Sequence, residues 1–250
     1  MFFVVKRHTL ILFALTLVAA LCGALVLSDQ AARPAFSASE QGSTVYVLDA
    51  GHGGEDGGAL ASDGGKESDV NLVVTLRLDT LLRFLGQKTV LTRDSDISIY
   101  SDGAETLRQK KVSDLRNRVA LVNAIPGAVL VSVHQNSLPS VPSVRGAQVF
   151  YGAVTPGDSL AHSVQNALNQ SVNVGNEKTE KRIDQTIYLM KNVTCPAILV
   201  ECGFLSNADE AARLRTPEHQ KRIAASIAAG LLNTEENRDD ESKGERVLLH

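Results

Sequence analysis

Between residues 44 and 233, short β-prone runs alternate with longer segments of helical periodicity, and this alternation constrains the fold more than any other feature. The strand-like runs are Thr44–Asp49, Lys88–Thr92, Ala128–His134, Gly146–Gly152, Thr186–Met190 and Ala197–Cys202. Between the first two, Val70, Val74, Leu78, Leu81 and Leu85 share one helical face, and Gly86 supplies a stop. Leu115, Val119 and Val122 repeat the pattern in a helix whose expected N-cap is Ser113. Helices are also expected over 157–171 and over 216–233, the latter opening with the cap pair Thr216-Pro217. Strands regularly separated by helices form a mostly parallel, twisted sheet with helices on both faces, so the expectation is a single three-layer α/β domain at 44–233.

The flanks differ in kind. Lys6 and Arg7 precede an apolar run from Leu10 to Leu27, long enough to span a bilayer. The basic pair holds the N-terminus inside and sends the rest outward. Residues 1–27 therefore read as a signal anchor, with cleavage near Ala35–Ala38 as the alternative, which makes the domain exported and attached to the outer face of the cytoplasmic membrane. Residues 28–43 read as a polar linker, and 234–250, charged and without a sustained apolar face, as a flexible tail. The net charge of −3 argues against nucleic acid as partner, and an aromatic content of 4% with no Trp against an aromatic carbohydrate platform. Cys195 and Cys202 lie at opposite ends of one strand-like run, too far apart for a disulfide, and read as small core residues.

In parallel α/β sheets ligands bind beyond the carboxyl ends of the strands. Three strand ends carry suitable side chains: His52 in the glycine-rich stretch after Asp49, His134, and Glu201. Glu67 opens the helix after the first loop. Two histidines and a carboxylate are the donor set of catalytic zinc, and a second, unligated carboxylate can move protons between a water and a leaving amine, which together point to amide hydrolysis. Singly, each residue has an ordinary explanation. Glu67 suits a helix dipole, and the glycine loop suits a phosphate. Glu201 is the sharpest, because a carboxylate in the apolar run Pro196–Cys202 is costly without a partner. The acidic pair Glu55 and Asp56 and the lack of a Lys-Ser/Thr pair argue against a phosphate loop.

Taken in order, LDAGHGGEDGG, KESDVNL, VLTRDSD, LRNRVALVN, VSVHQNS and PAILVECGFLSN resemble the motifs of zinc-dependent N-acetylmuramoyl-L-alanine amidases of the amidase-3 type. The resemblance runs from about Val45 to Leu232. It implies hydrolysis of the amide between the lactyl group of N-acetylmuramic acid and L-alanine in peptidoglycan, with one zinc per chain. It assigns His52, Glu67 and His134 as zinc ligands and Glu201 as the catalytic base and acid. Asn136 and Arg182, in motif segments near strand ends, are candidates for the border of the substrate groove, with a solvated loop arginine the alternative for Arg182. IPGAV before the third strand, and VSVHQN, depart from the commoner family wording but keep the spacing of His134 to Asn136. The short Ser137–Arg145 segment leaves no room for the autoinhibitory helix of division-associated members. The stretch from Glu180 to Asn207 is most similar to anchored, sporulation-associated members that act on spore cortex, where amidase action precedes muramic-δ-lactam formation. With no wall-binding repeats in these 250 residues, targeting would rest on the anchor, and a protein partner for activation stays open. The competing expectation is an inactive amidase-like domain that binds wall or partner without cutting.

Overall fold

The computed structural model describes residues 44–184 and 186–247, with side chains described as far as 234. The apolar run of 10–27 lies outside them. Among the described residues no helix is long and apolar enough to cross a membrane.

Six strands form one sheet: β1 (Val45–Ala50), β2 (Lys88–Leu91), β3 (Ala128–Asn136), β4 (Gln148–Tyr151), β5 (Lys181–Arg182) and β6 (Ala197–Phe204), in the order β2-β1-β3-β6-β4-β5. β2, β1, β3 and β6 run parallel. β4 is antiparallel to β6, and β5 follows β4 in parallel. The sheet is thus mixed, with its parallel strands central and the reversed pair at one edge.

Period-two alternation sorts the strand residues between two cores. Tyr46, Leu48, Val131, Val133, Ile198 and Val200 face one way, against α1 (Glu67–Phe84), α3 (Gly157–Ser171), α5 (Ala208–Leu214) and α6 (Pro217–Val247). Val47, Leu130 and Leu199 face the other, against α2 (Leu107–Asn123) and α4 (Tyr188–Asn192). Helices therefore cover both faces. α1 buries Val70, Val74, Leu78 and Leu82, while Leu81 and Leu85 are half-buried at the edge of that stripe. It ends where Gly86, at φ +80, passes into the left-handed region. There the Gln87 N–H returns to the Leu82 carbonyl.

Three expectations need correcting. Thr186–Met190 is not a strand: α4 occupies most of it, burying Leu189 and Met190 against the α2 side. A short apolar run fits both periods, and here the edge of β4 is taken by Lys181–Arg182 instead. α2 starts at Leu107 rather than after Ser113, because Thr106 and Gln109 form a reciprocal capping box. The buried line of that helix is Asp114, Arg118 and Val122, one position off the apolar line Leu115, Val119 and Val122. The last helix continues to Val247, past the boundary drawn at 233. Cys195 and Cys202 are both free, as expected.

Candidate active site

β1 stays paired with β3 through Ala50, and the chain then passes into a loop at the carboxyl ends of β1 and β3. Glycine is needed there for two reasons. A Cβ at Gly51 would overlap the His134 imidazole, and one at Gly58 would come within 2.6 Å of Glu67 Oε2 and 2.9 Å of His52 Cδ2. His52, at φ +62, is the one non-glycine residue in the left-handed region among the described residues. Such a conformation costs a β-carbon-bearing residue about 1–3 kcal/mol and persists where the surroundings over-determine it.

His52, Glu67 and His134 converge, with their donor atoms all within 4.8 Å of one another. Glu67 Oε1 lies 3.3 Å from His52 Nε2 and 3.0 Å from His134 Nδ1. The two imidazoles meet edge to face, with centroids 5.0 Å apart. Glu67 is itself fixed: Oε2 accepts from Ala59 N at 2.9 Å, and Oε1 from Gln135 N at 3.1 Å and Asn71 Nδ2 at 3.3 Å. Burial alone would raise its pKa, but His134 and His52 more than offset this and hold the carboxyl far below the usual carboxylate range.

His52 Nδ1 lies 2.9 Å from Asp56 Oδ2, and that carboxylate also receives Lys111 Nζ at 3.1 Å. With Nδ1–H donating to Asp56, Nε2 of the neutral ring keeps its lone pair, the form that can ligate a metal. Burial disfavours the charged imidazole, yet the Asp56 and Glu67 carboxylates push its pKa up to about 9. The Asp56–His52 pair orients the imidazole as outer-shell carboxylates orient metal-ligating histidines. With His52 as a metal ligand, Asp56→Asn is expected to weaken metal binding about 10–100-fold. Chelator competition measures it, and an unchanged affinity would remove Asp56 from the site.

Glu201 stands beside this group without joining it. It pairs in register with His134 across the β3–β6 ladder, and its Oε2 is buried with no hydrogen-bond partner among the described residues. Burial pushes its carboxyl up to about 7, with His134 pulling it down and Glu67 pushing it further up. A buried, unsatisfied acid next to a converged His-Glu-His set fits a site that takes both a cation and a water.

Asn136 lies two residues beyond His134, past a register shift in β3, and its Oδ1 accepts from Ser137 N at 2.7 Å. Arg182 is exposed on the edge strand β5, opposite Tyr151, which pairs with Ile198. Ile198 is three residues before Glu201, so Arg182 sits roughly 10 Å back along the strands and two strands across. The fold therefore brings His52, Glu67, His134 and Glu201 together with Asn136 at their margin, and leaves Arg182 apart from them.

The sequence model for N-acetylmuramoyl-L-alanine amidases covers residues 47–233. The chain belongs to that family. It is 38% identical over 190 residues to the germination-specific N-acetylmuramoyl-L-alanine amidase of Bacillus subtilis, covering 75% of this chain and 78% of that protein. The CwlD amidase of Clostridioides difficile, solved in complex with the GerS lipoprotein, superposes with a TM-score of 0.73 at 36% identity, covering 76% of this chain and 97% of that one. The catalytic domain of CwlV, an amidase from Bacillus (Paenibacillus) polymyxa, matches at a TM-score of 0.60 and 28% identity, covering 77% and 98%. The chain is thus an amidase, a hydrolase of carbon–nitrogen bonds.

Sequence reasoning missed the groups that hold the centre in place. In the sequence Asp56 reads only as a charge unfavourable to phosphate, though an acidic residue four positions after a candidate ligand is a signal for an orienting partner. Asn71, one turn after Glu67, bonds both Glu67 and the Gly51 carbonyl. Arg93 and Arg118 lie within the quoted motifs but carry no chemistry a pattern would flag.

Proposed function

We propose that this amidase binds one zinc through His52, Glu67 and His134 and hydrolyses the amide between N-acetylmuramic acid and L-alanine of peptidoglycan, with Glu201 as the proton-transfer group. The observation that carries it is the convergence of the three donor atoms within 4.8 Å, with a buried, unpartnered carboxylate oxygen on the adjacent strand position. When bound, zinc supplies a Lewis acid and lowers the pKa of a water to about 7. Everything else falls to the chain. His52 and His134 present one ring nitrogen each, and Glu67 a carboxylate already held by three N–H groups, two on Oε1 and one on Oε2. Glu201, outside the donor set, accepts a proton from the attacking water and returns it to the departing L-alanine nitrogen, since amide cleavage requires a neutral amine to leave. Asn136, at the rim, is positioned to meet the substrate, and Arg182 reaches only a ligand that extends across β4.

The biological setting we propose is spore cortex maturation, with the domain exported and held at the outer face of the cytoplasmic membrane by residues 1–27. Likeness to the germination-specific amidase supports it, as does the short Ser137–Arg145 connection. The CwlD–GerS complex supports a protein partner for this chain as well. The test is muropeptide analysis of cortex from spores lacking the protein. Loss of muramic-δ-lactam is the predicted result, and lactam at normal levels would overturn the cortex assignment while leaving the amidase chemistry intact.

A further inference from the structure

We infer that Arg118, assisted by Arg93, is a positioning residue for the zinc ligand His52, setting the loop's geometry before metal arrives; this rests on the proposed role of His52 as a ligand. Four consecutive carbonyls, from Ala50 to Gly53, pass out of the β1 ladder, and every one is bound by a side-chain donor. Ala50 O accepts from Arg93 Nε at 2.9 Å and from Arg118 Nη1 at 2.8 Å. Gly51 O accepts from Arg93 Nη2 and from Asn71 Nδ2, both at 3.1 Å. His52 O accepts from Arg118 Nη2 at 2.8 Å, and Gly53 O from Ser98 Oγ at 2.5 Å.

Both arginines are buried, at 3% and 2% exposure, so these are rigid forks and not surface contacts. Arg118 is locked from behind by Asp49 Oδ1 at 2.6 Å and Asp114 Oδ2 at 2.7 Å. Asp49 is in turn held by Ser132 and Thr92, at 2.6 and 2.8 Å. Arg93 reaches on to the Ser68 and Ser95 carbonyls, each at 2.9 Å, which ties the loop to the first turn of α1, where Glu67 sits.

Fixing the carbonyl planes on either side of the His52 α-carbon fixes its backbone dihedrals, and those lie in the left-handed region that a free loop would leave. The same clamp sets Gly51, whose α-carbon lies against the His134 ring. The buried guanidinium pair therefore sets where the His52 imidazole stands and holds Gly51 where it leaves room for the His134 ring. Neither contact involves the donor atoms themselves, so the arginines act through His52 and not on the substrate.

Arg118→Lys separates this role from general support of the fold. Lysine keeps a charge opposite Asp49 but cannot bridge the Ala50 and His52 carbonyls as a planar fork does. On the purified full chain, zinc affinity from chelator competition is compared with the melting temperature of the zinc-free protein, alongside Leu168→Ala. Leu168 is a fully buried residue of α3 with no bond to the loop, and its loss destabilises the domain without touching the clamp. The expected result is an affinity lower by about 10–100-fold in Arg118→Lys and unchanged in Leu168→Ala. Wild-type affinity in Arg118→Lys, or an equal loss in both variants, overturns the inference while leaving the zinc reading in place. If Arg118→Lys does not fold, Arg93→Lys tests the other half of the clamp by removing its fork from the Ala50 and Gly51 carbonyls: a several-fold weaker affinity supports the inference and an unchanged one overturns it. A wild-type chain that takes up no zinc overturns both readings.

Discussion

Glu201→Gln is expected to lower turnover on peptidoglycan by about 10²–10⁴-fold while the protein keeps its full complement of zinc. The substitution is nearly isosteric and lies outside the converged donor set, so neither the fold nor His52, Glu67 and His134 should move. What it removes is a proton acceptor at a buried position whose Oε2 has no partner among the described residues. This is also the experiment that separates an enzyme from an amidase-like binding domain. Steady-state release of product, with zinc measured on the same sample, gives the answer. Turnover within a few-fold of wild type would exclude Glu201 as the proton-transfer group. Full biological activity with no measurable turnover in either protein would favour the binding reading.

His134→Ala is expected to abolish zinc retention: about one zinc per wild-type chain, and almost none in the variant after dialysis. The loss should exceed the about 10–100-fold that an outer-shell partner commands, because a donor atom itself is gone. The domain should stay folded, since Glu67 keeps its bonds from Ala59 N, Gln135 N and Asn71. Zinc content by atomic emission and the melting temperature in the presence of a chelator check the two halves separately. Zinc retained at wild-type stoichiometry would remove His134 from the ligand set.

The layers of this fold and the atoms of its centre were largely legible in the residues, and the reasons are physical. β1, β3 and β6 are mostly apolar, with their polar residues mainly toward the carboxyl ends, because both faces are covered, and α1 repeats its buried residues at the helical period. His52 and His134 stood out because strand ends flanked by glycine or polar residues seldom need an imidazole. Glu201 stood out because nothing nearby in sequence could neutralise it. The rest depended on long-range partners. Asp114 and Arg118 share the helical period with Val122, yet a charged pair at that spacing ordinarily marks a solvated face. They are buried because the carbonyls released where β1 leaves the sheet need donors, a demand created by tertiary structure. The run Thr186–Met190 differs for a related reason: five residues carry too little periodicity to choose between strand and helix, and in the fold the edge of β4 is occupied by Lys181–Arg182.

The central claim is that this chain cleaves one particular amide. The direct measurement is the identity of the new amino terminus released when the zinc-loaded protein digests purified peptidoglycan. The account predicts L-alanine, appearing in step with loss of intact stem-linked muramic acid. A different terminus, or none from a chain shown to hold its zinc, would contradict it.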